Sequence, residues 1–286
     1  MNIFSGGNPN YTLLDETYDA KGLAQTQISL VSDAIEILAE DREDVQITYR
    51  CSEDNMDRCP LVSVQNGTLL IEAPRDIRLI FSLGWCGRLT VRVPETLALT
   101  YELNNTSGSV SLDGVRMQSA NISGVSGSIS LSPDLSVRAA SVDISNTSGA
   151  IRVAAAADRL HASTVSGSIR AEGAFDTVEA STTSGSVRVA CWTAPSSVEM
   201  GSVSGSTRLT LPADIPGFVL DTSSVSGKLH NDFGQNPYGD RSLVVRMHTV
   251  SGGMYVSPGE EDAPRDPSPE RTKGTPREDA GGKRTF

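Results

Sequence analysis

"GSVSLDGVRMQSANISGVSGSIS", residues 108–130, is nearly all small and polar, yet its few apolar residues stand two apart just after each Gly-Ser. The triplet Thr/Val-Ser-Gly behind it recurs eight times, at Ser107, Ser126, Ser148, Ser166, Ser184, Ser204, Ser226 and Ser251, at intervals of 18 to 25 residues. Aligned on that serine, apolar or small residues fall at fixed offsets. Six before it stand residues such as Tyr101, Val142, Leu160 and Val198, and four before it Leu103, Ile144, Ala162 and Met200. Three after it come Val110, Ile151, Ile169 and Val187, and five after it Leu112, Val153, Ala171 and Val189, with Asn231 breaking the last column. The columns between are polar, as strand alternation requires.

Each repeat therefore reads as two strands around a corner. The inward set steps from two residues before the serine to three after it, an odd number, so alternation slips once per repeat. A chain that turns and resets its facing needs an unusual backbone conformation, which glycine reaches without a Cβ penalty. The serine hydroxyl is expected to satisfy backbone groups at the bend. A constant core pattern with variable far connections predicts a solenoid, whose coils stack about 4.8 Å apart and bury their apolar edges only against one another. The fold expected is all-β, a flattened parallel β-solenoid with right-handed coiling from the general crossover preference. A sandwich of hairpins is the structural alternative.

Composition agrees with thin layers of small and β-branched side chains, because only 5% of the 286 residues are aromatic. A net charge of −11 disfavours nonspecific attraction to nucleic acid or anionic lipid, so an anionic partner needs a local basic patch. No run approaches the roughly 20 apolar residues of a membrane helix, and the N-terminus lacks the basic and apolar regions of a secretory signal. The expected location is cytoplasmic. The four cysteines, Cys51, Cys59, Cys86 and Cys191, are too few for a disulfide scaffold and are read as thiols, although Cys51 and Cys59 flank one acidic loop and could pair.

Three segments follow. Residues 1–100 read as an irregular strand-rich part and cap, with Asn66-Gly67 as a hairpin turn and "SDAIEILAEDRED" as strand rather than helix. Residues 101–256 are the repeats. Residues 257–286 mix both charge signs with prolines and almost no apolar residue, and are predicted to be disordered.

With "STVSGSIRAEG", "STTSGSVRVAC", the lead-in "VRVPETLALTYELNNTSGSV" and the closing "MHTVSGGMYV", the chain from about residue 20 to 256 resembles the bacterial β-strand-repeat domains of unknown function often labelled "putative adhesins". The resemblance implies a solenoid in a bacterial protein and brings no catalytic residues.

Chemical motifs are sparse. "VSGK" at Val225–Lys228 is not a phosphate-binding loop, because Thr222 and Leu229 stand where that motif needs Gly and Ser or Thr. Glu179 and Glu199 share an outward column at a spacing suggestive of glycoside hydrolysis, but Glu102, Asp143 and Asp221 in the same column read as a solvated ladder. His161, His230 and His248 form no zinc-binding pattern. No catalytic, cofactor or metal residue is assigned. The remaining candidate is an outward column four residues after the serine, Arg152, Arg170, Arg188 and Arg208, with His230 next in sequence. It reads either as a solvated, edge-protecting ladder or as a contact for a partner. The expected function is a noncatalytic binding or scaffolding module for an unknown protein or acidic polymer, with no cofactor. A polysaccharide-acting β-helix enzyme and a self-assembling filament, joined end to end through exposed strand edges, are the alternatives.

Overall fold

The computed structural model describes residues 11–52, 59–74 and 87–259, which form 22 strands and no helix. Strands before the corner stack in parallel on one another, and strands after it do the same. Val142 pairs with Leu160, Leu160 with Val178 and Val178 with Val198, while Ile151 pairs with Ile169 and Ile169 with Val187. All of these side chains are buried. The core is the apolar filling between the two stacks, a parallel β-solenoid. Where the far connection is shortest, one uninterrupted strand, Ile151–Ser166 or Ile169–Ser184, runs from one corner to the next. Arg138 staples that far edge, bonding Asp158 at 2.5 Å and Asp176 at 2.6 Å on two successive coils.

The corners hold the stack in register. Gly127 N donates to Ser148 O at 3.1 Å, Gly149 N to Ser166 O at 2.9 Å and Gly167 N to Ser184 O at 2.9 Å. Conformation is half of the reason for glycine: Gly108, Gly127, Gly149, Gly185, Gly205 and Gly252 lie at φ between +114° and +150°. Space is the more general half. A Cβ on Gly167, which lies outside that φ range, would sit 2.7 Å from the carbonyl carbon of Gly149, and one on Gly185 equally close to that of Gly167. At several corners the carbonyl that fills this space is bonded by the residue two before the next serine, whereas Gly124 holds that position next to Gly108 and Thr164 Oγ1 makes no such bond to Gly149. Asn146 Nδ2 donates to Gly127 O at 2.8 Å, Thr182 Oγ1 to Gly167 O at 3.1 Å and Ser202 Oγ to Gly185 O at 3.0 Å. The corner serines themselves stand exposed, so the role expected of their hydroxyls belongs to these buried neighbours.

The same geometry extends below residue 101. Gln25–Leu30 and Asp33–Glu40 form a coil against residues 98–113, and its corner, Val31-Ser32-Asp33, is the triplet with aspartate in place of glycine. Asn105 Nδ2 donates to Asp33 O at 2.8 Å, as its counterparts do to glycine carbonyls. The Asp33 side chain fits because the next layer out supplies the glycine. A Cβ on Gly87 would collide with Asp33 Oδ1 and with the hydroxyl of Tyr49, which donates to that oxygen at 3.0 Å.

Sequence order and stacking order agree through most of the rod and part at both ends. Residues 25–40 lie between 98–113 and an outer layer built from Thr68–Glu72 and Gly87–Pro94. At the other end the last repeat, 243–258, is inserted between 197–211 and 217–231. Antiparallel strands close the first end: Leu61–Gln65 covers Thr68–Glu72 through a turn at Asn66 and Gly67, both at positive φ, and Asp44–Cys51 covers Gly87–Pro94. The tail expected to be disordered lies outside the described residues from 260 onward.

Gly185→Ala should lower stability by at least about 2 kcal/mol, because the added methyl meets backbone that cannot move without shifting a whole coil. Thr182→Val should cost about 1 kcal/mol by leaving the Gly167 carbonyl unbonded. Thermal melts of the folded variants check both.

Candidate functional site

Parallel pairing in register is what assembles the arginine column. Arg152 pairs with Arg170, Arg170 with Arg188 and Arg188 with Arg208, so the four occupy adjacent rungs about 4.8 Å apart. All four are exposed. Their flanks are low: Ala150, Ser168, Ser186 and Ser206 stand two residues before them, and Ala154, Ala190 and Thr210 two after three of them. The guanidinium forks thus rise above a floor of small side chains. Glu172 interrupts the floor and meets Arg170 at 3.3 Å. Among the described residues, Arg152, Arg188 and Arg208 form no ion pair.

The rung after Arg208 is not His230. The inserted last repeat brings Tyr255 there, and Arg208 stands over its ring at 5.0 Å, with His230 one rung further out at 6.1 Å between ring centroids. The ladder therefore ends on an aromatic that caps it by a cation–π contact. Tyr255 could not be placed from sequence, because the repeat that carries it stacks out of order.

The opposite end of the same outer surface differs in charge pairing. Arg92 meets Glu40 at 2.9 Å, Arg88 meets Glu36 at 3.6 Å, and Gln46 donates to Asp15 at 2.7 Å. Arginines there are neutralised by their neighbours, whereas the ladder's positive charge is left to solvent or to a partner.

The other sequence candidates fall on the second outer surface. Glu179 pairs directly with Glu199, but Arg246 comes between Glu199 and Asp221, so the acidic column is broken. His161 Nδ1 lies 3.2 Å from Glu179. Among the described residues, no group of three or more His, Cys, Asp or Glu is placed to hold a metal ion. Beside this column runs a shallow groove of about 530 Å³, where Gly201 interrupts a row of serines and His248 shares a 2.9 Å hydrogen bond with Ser223. Its rim is the exposed Val/Thr column of the triplets, including Val203, Val225 and Val250. Gly201, standing where successive repeats carry serine, is the signal in the sequence that could have located the groove, while the concavity itself comes from stacking. Cys51, Cys59 and Cys191 form no disulfide, and burial pushes the Cys191 thiol up to about 12, which leaves it unreactive at neutral pH.

A stack of corner-joined parallel coils with an exposed cationic rung series defines a β-solenoid with a surface rather than a cleft. Its sequence matches the family described as Toastrack DUF4097 over residues 25–252, and the chain belongs to that family. No curated protein matches it. Among crystal structures, it is similar to a "putative lipid binding protein" from Parabacteroides distasonis ATCC 8503 at 17% identity and a TM-score of 0.48, over 86% of this chain and 97% of that one. It is also similar to a "putative adhesin" from Bacteroides fragilis NCTC 9343 at 15% identity and a TM-score of 0.44, with the same coverage.

Because the arginines repel one another across adjacent rungs, Arg188→Ser should leave the melting temperature unchanged or slightly raised at low salt, within about 0.5 kcal/mol. A melt repeated at high salt should erase any gain.

Proposed function

We propose that this chain is a noncatalytic binding or scaffolding module whose arginine ladder holds an extended acidic partner. The observation that carries the reading is the run of four exposed arginines in strict register, three of them without a carboxylate among the described residues, on a protein of net charge −11. Like charges concentrated on a rigid surface raise the local potential. An anionic ligand relieves that repulsion and accepts charge-assisted hydrogen bonds from several forks at once. Rigidity helps, since the backbone at each rung is already fixed by two neighbours and binding orders only side chains. The small floor admits a linear chain along the rod without a pocket to close around it.

Labelled poly-L-glutamate tests the reading by fluorescence anisotropy. The parent should bind it and lose affinity steeply as salt rises from about 50 to 200 mM. A folded Arg170→Ser, Arg188→Ser double variant should bind at least about tenfold more weakly, with a shallower salt dependence. Equal binding and equal salt dependence in parent and variant would make the ladder a solvated surface only.

A further inference from the structure

The two ends of the rod are finished differently. The first is closed by antiparallel strands, with Tyr11–Asp19 laid over Asp44–Cys51 outside the outermost layer. At the second, among the described residues, the outermost strand Gly217–Ser226 is paired on its outer side only at Gly217 and Phe218, by Tyr238–Gly239. The side chain of Asn236 then imitates one further residue of strand: Leu220 N donates to its Oδ1 and its Nδ2 donates to Leu220 O, both at 2.9 Å. Phe218, Phe233 and Tyr238 pack together and hold this partial cover. Beyond Leu220 no described residue pairs with this edge. Strand alternation points the backbone groups of Thr222 and Ser224 the same way as those of Leu220, away from the stack. Lys228 O accepts from Met254 N, so the intervening Leu229 also points outward. Val225 is 83% exposed and Leu229 39%.

We propose that this edge is a docking surface for a second copy of the chain, joined end to end about a two-fold axis through the corner at Ser226-Gly227. The self-complementarity comes from the odd step at the corner. A two-fold through it lays the post-corner strand of one copy antiparallel on the pre-corner strand of the other, placing Ser224 opposite Leu229 and Thr222 opposite Asn231. Each of these positions belongs to an inward column of the repeat, so the inward-facing set continues across the junction, with Leu229 as its apolar member. Ser224 and Leu229, whose backbone groups point out of the open end, thus stand opposite one another as hydrogen-bonding partners, and Thr222 faces Asn231, whose carbonyl oxygen accepts from Gly234 N at 3.2 Å and has a second lone pair for the Thr222 N–H. The outward positions Ser223 and Val225 then lie opposite His230 and Lys228 of the second copy. A head-to-tail arrangement lacks this match, because the first end presents antiparallel cover strands instead of a coil. The junction is isologous and closes on itself, so it yields a dimer and not a filament. It also sets Asp221 of each copy opposite Asp232 of the other, a repulsion that salt relieves.

Sedimentation velocity over a range of concentrations tests this directly. The parent, of mass 30.3 kDa, should form a dimer that strengthens as salt rises, opposite in sign to the salt dependence of poly-L-glutamate binding by the ladder. Thr222→Pro removes an outward N–H without touching a bond inside the stack, and Leu229→Lys places a charge at the open edge. Each, with its melt measured, should shift the monomer–dimer equilibrium toward monomer by at least about tenfold. Ser223→Cys combined with His230→Cys should form a covalent dimer on oxidation that neither single variant forms. A parent that stays monomeric up to several hundred micromolar, or a dimer indifferent to both edge variants and giving no cross-link, would overturn the proposal. Arg170→Ser, Arg188→Ser leaves the edge intact and should dimerise like the parent, so loss of ladder binding and loss of the junction are read separately.

Discussion

Everything regular in this protein depends on one close approach, that of the carbonyl of each corner glycine to the Cα of the glycine in the next coil. A single methyl group at that point would occupy the place of the carbonyl oxygen, so at the repeat corners successive coils reach strand-pairing distance because the residue is glycine. The bent backbone leaves the same carbonyl available to the buried Asn, Thr or Ser two positions before the following serine. Glycine and its buried polar neighbour act as one device. The former makes room and, where the bond forms, the latter satisfies what the room exposes, which suits a column of small polar residues set between apolar inward columns.

Fixing the corner fixes the faces. Because the glycines coincide axially, every offset from them coincides too, and four arginines scattered over 57 residues of sequence, Arg152 to Arg208, become adjacent rungs. Their cost is modest because they are exposed and screened. Their consequence is a cationic strip on an acidic protein, contrasted on the same outer surface with a patch near Arg88 and Arg92 in which charges pair off locally.

Solenoids have ends, and both ends here are built by threading the chain out of order. The coil nearest each terminus of the described stack lies beneath an outer coil and so has strand partners on both sides. Fraying from the terminus is thereby opposed by two sets of hydrogen bonds instead of one, at the cost of pairings that close long loops before they are stabilised. The outermost layers carry the residual edge. At one end three antiparallel strands absorb it, and at the other the two-residue strand Tyr238–Gly239 and the Asn236 amide cover it only from Gly217 to Leu220.

The repeat, the two strands per coil, the facing of each column and the need for glycine at the corner are all legible in the sequence, because they follow from nearest-neighbour spacing along the chain. The sequence placed the arginines in one column for the same reason. It did not reveal the coil at residues 25–40, whose corner carries Asp33 instead of glycine. That substitution works only through Gly87 in the layer beyond, more than 50 residues away. Nor did it reveal that the column ends on Tyr255, or that the last repeat lies beneath the one before it. Which coil lies on which is decided by pairing between strands distant in sequence, and identical corner motifs carry no information about order. Only the tertiary structure, by matching the irregular connections and the aromatic cap to particular edges, settles it.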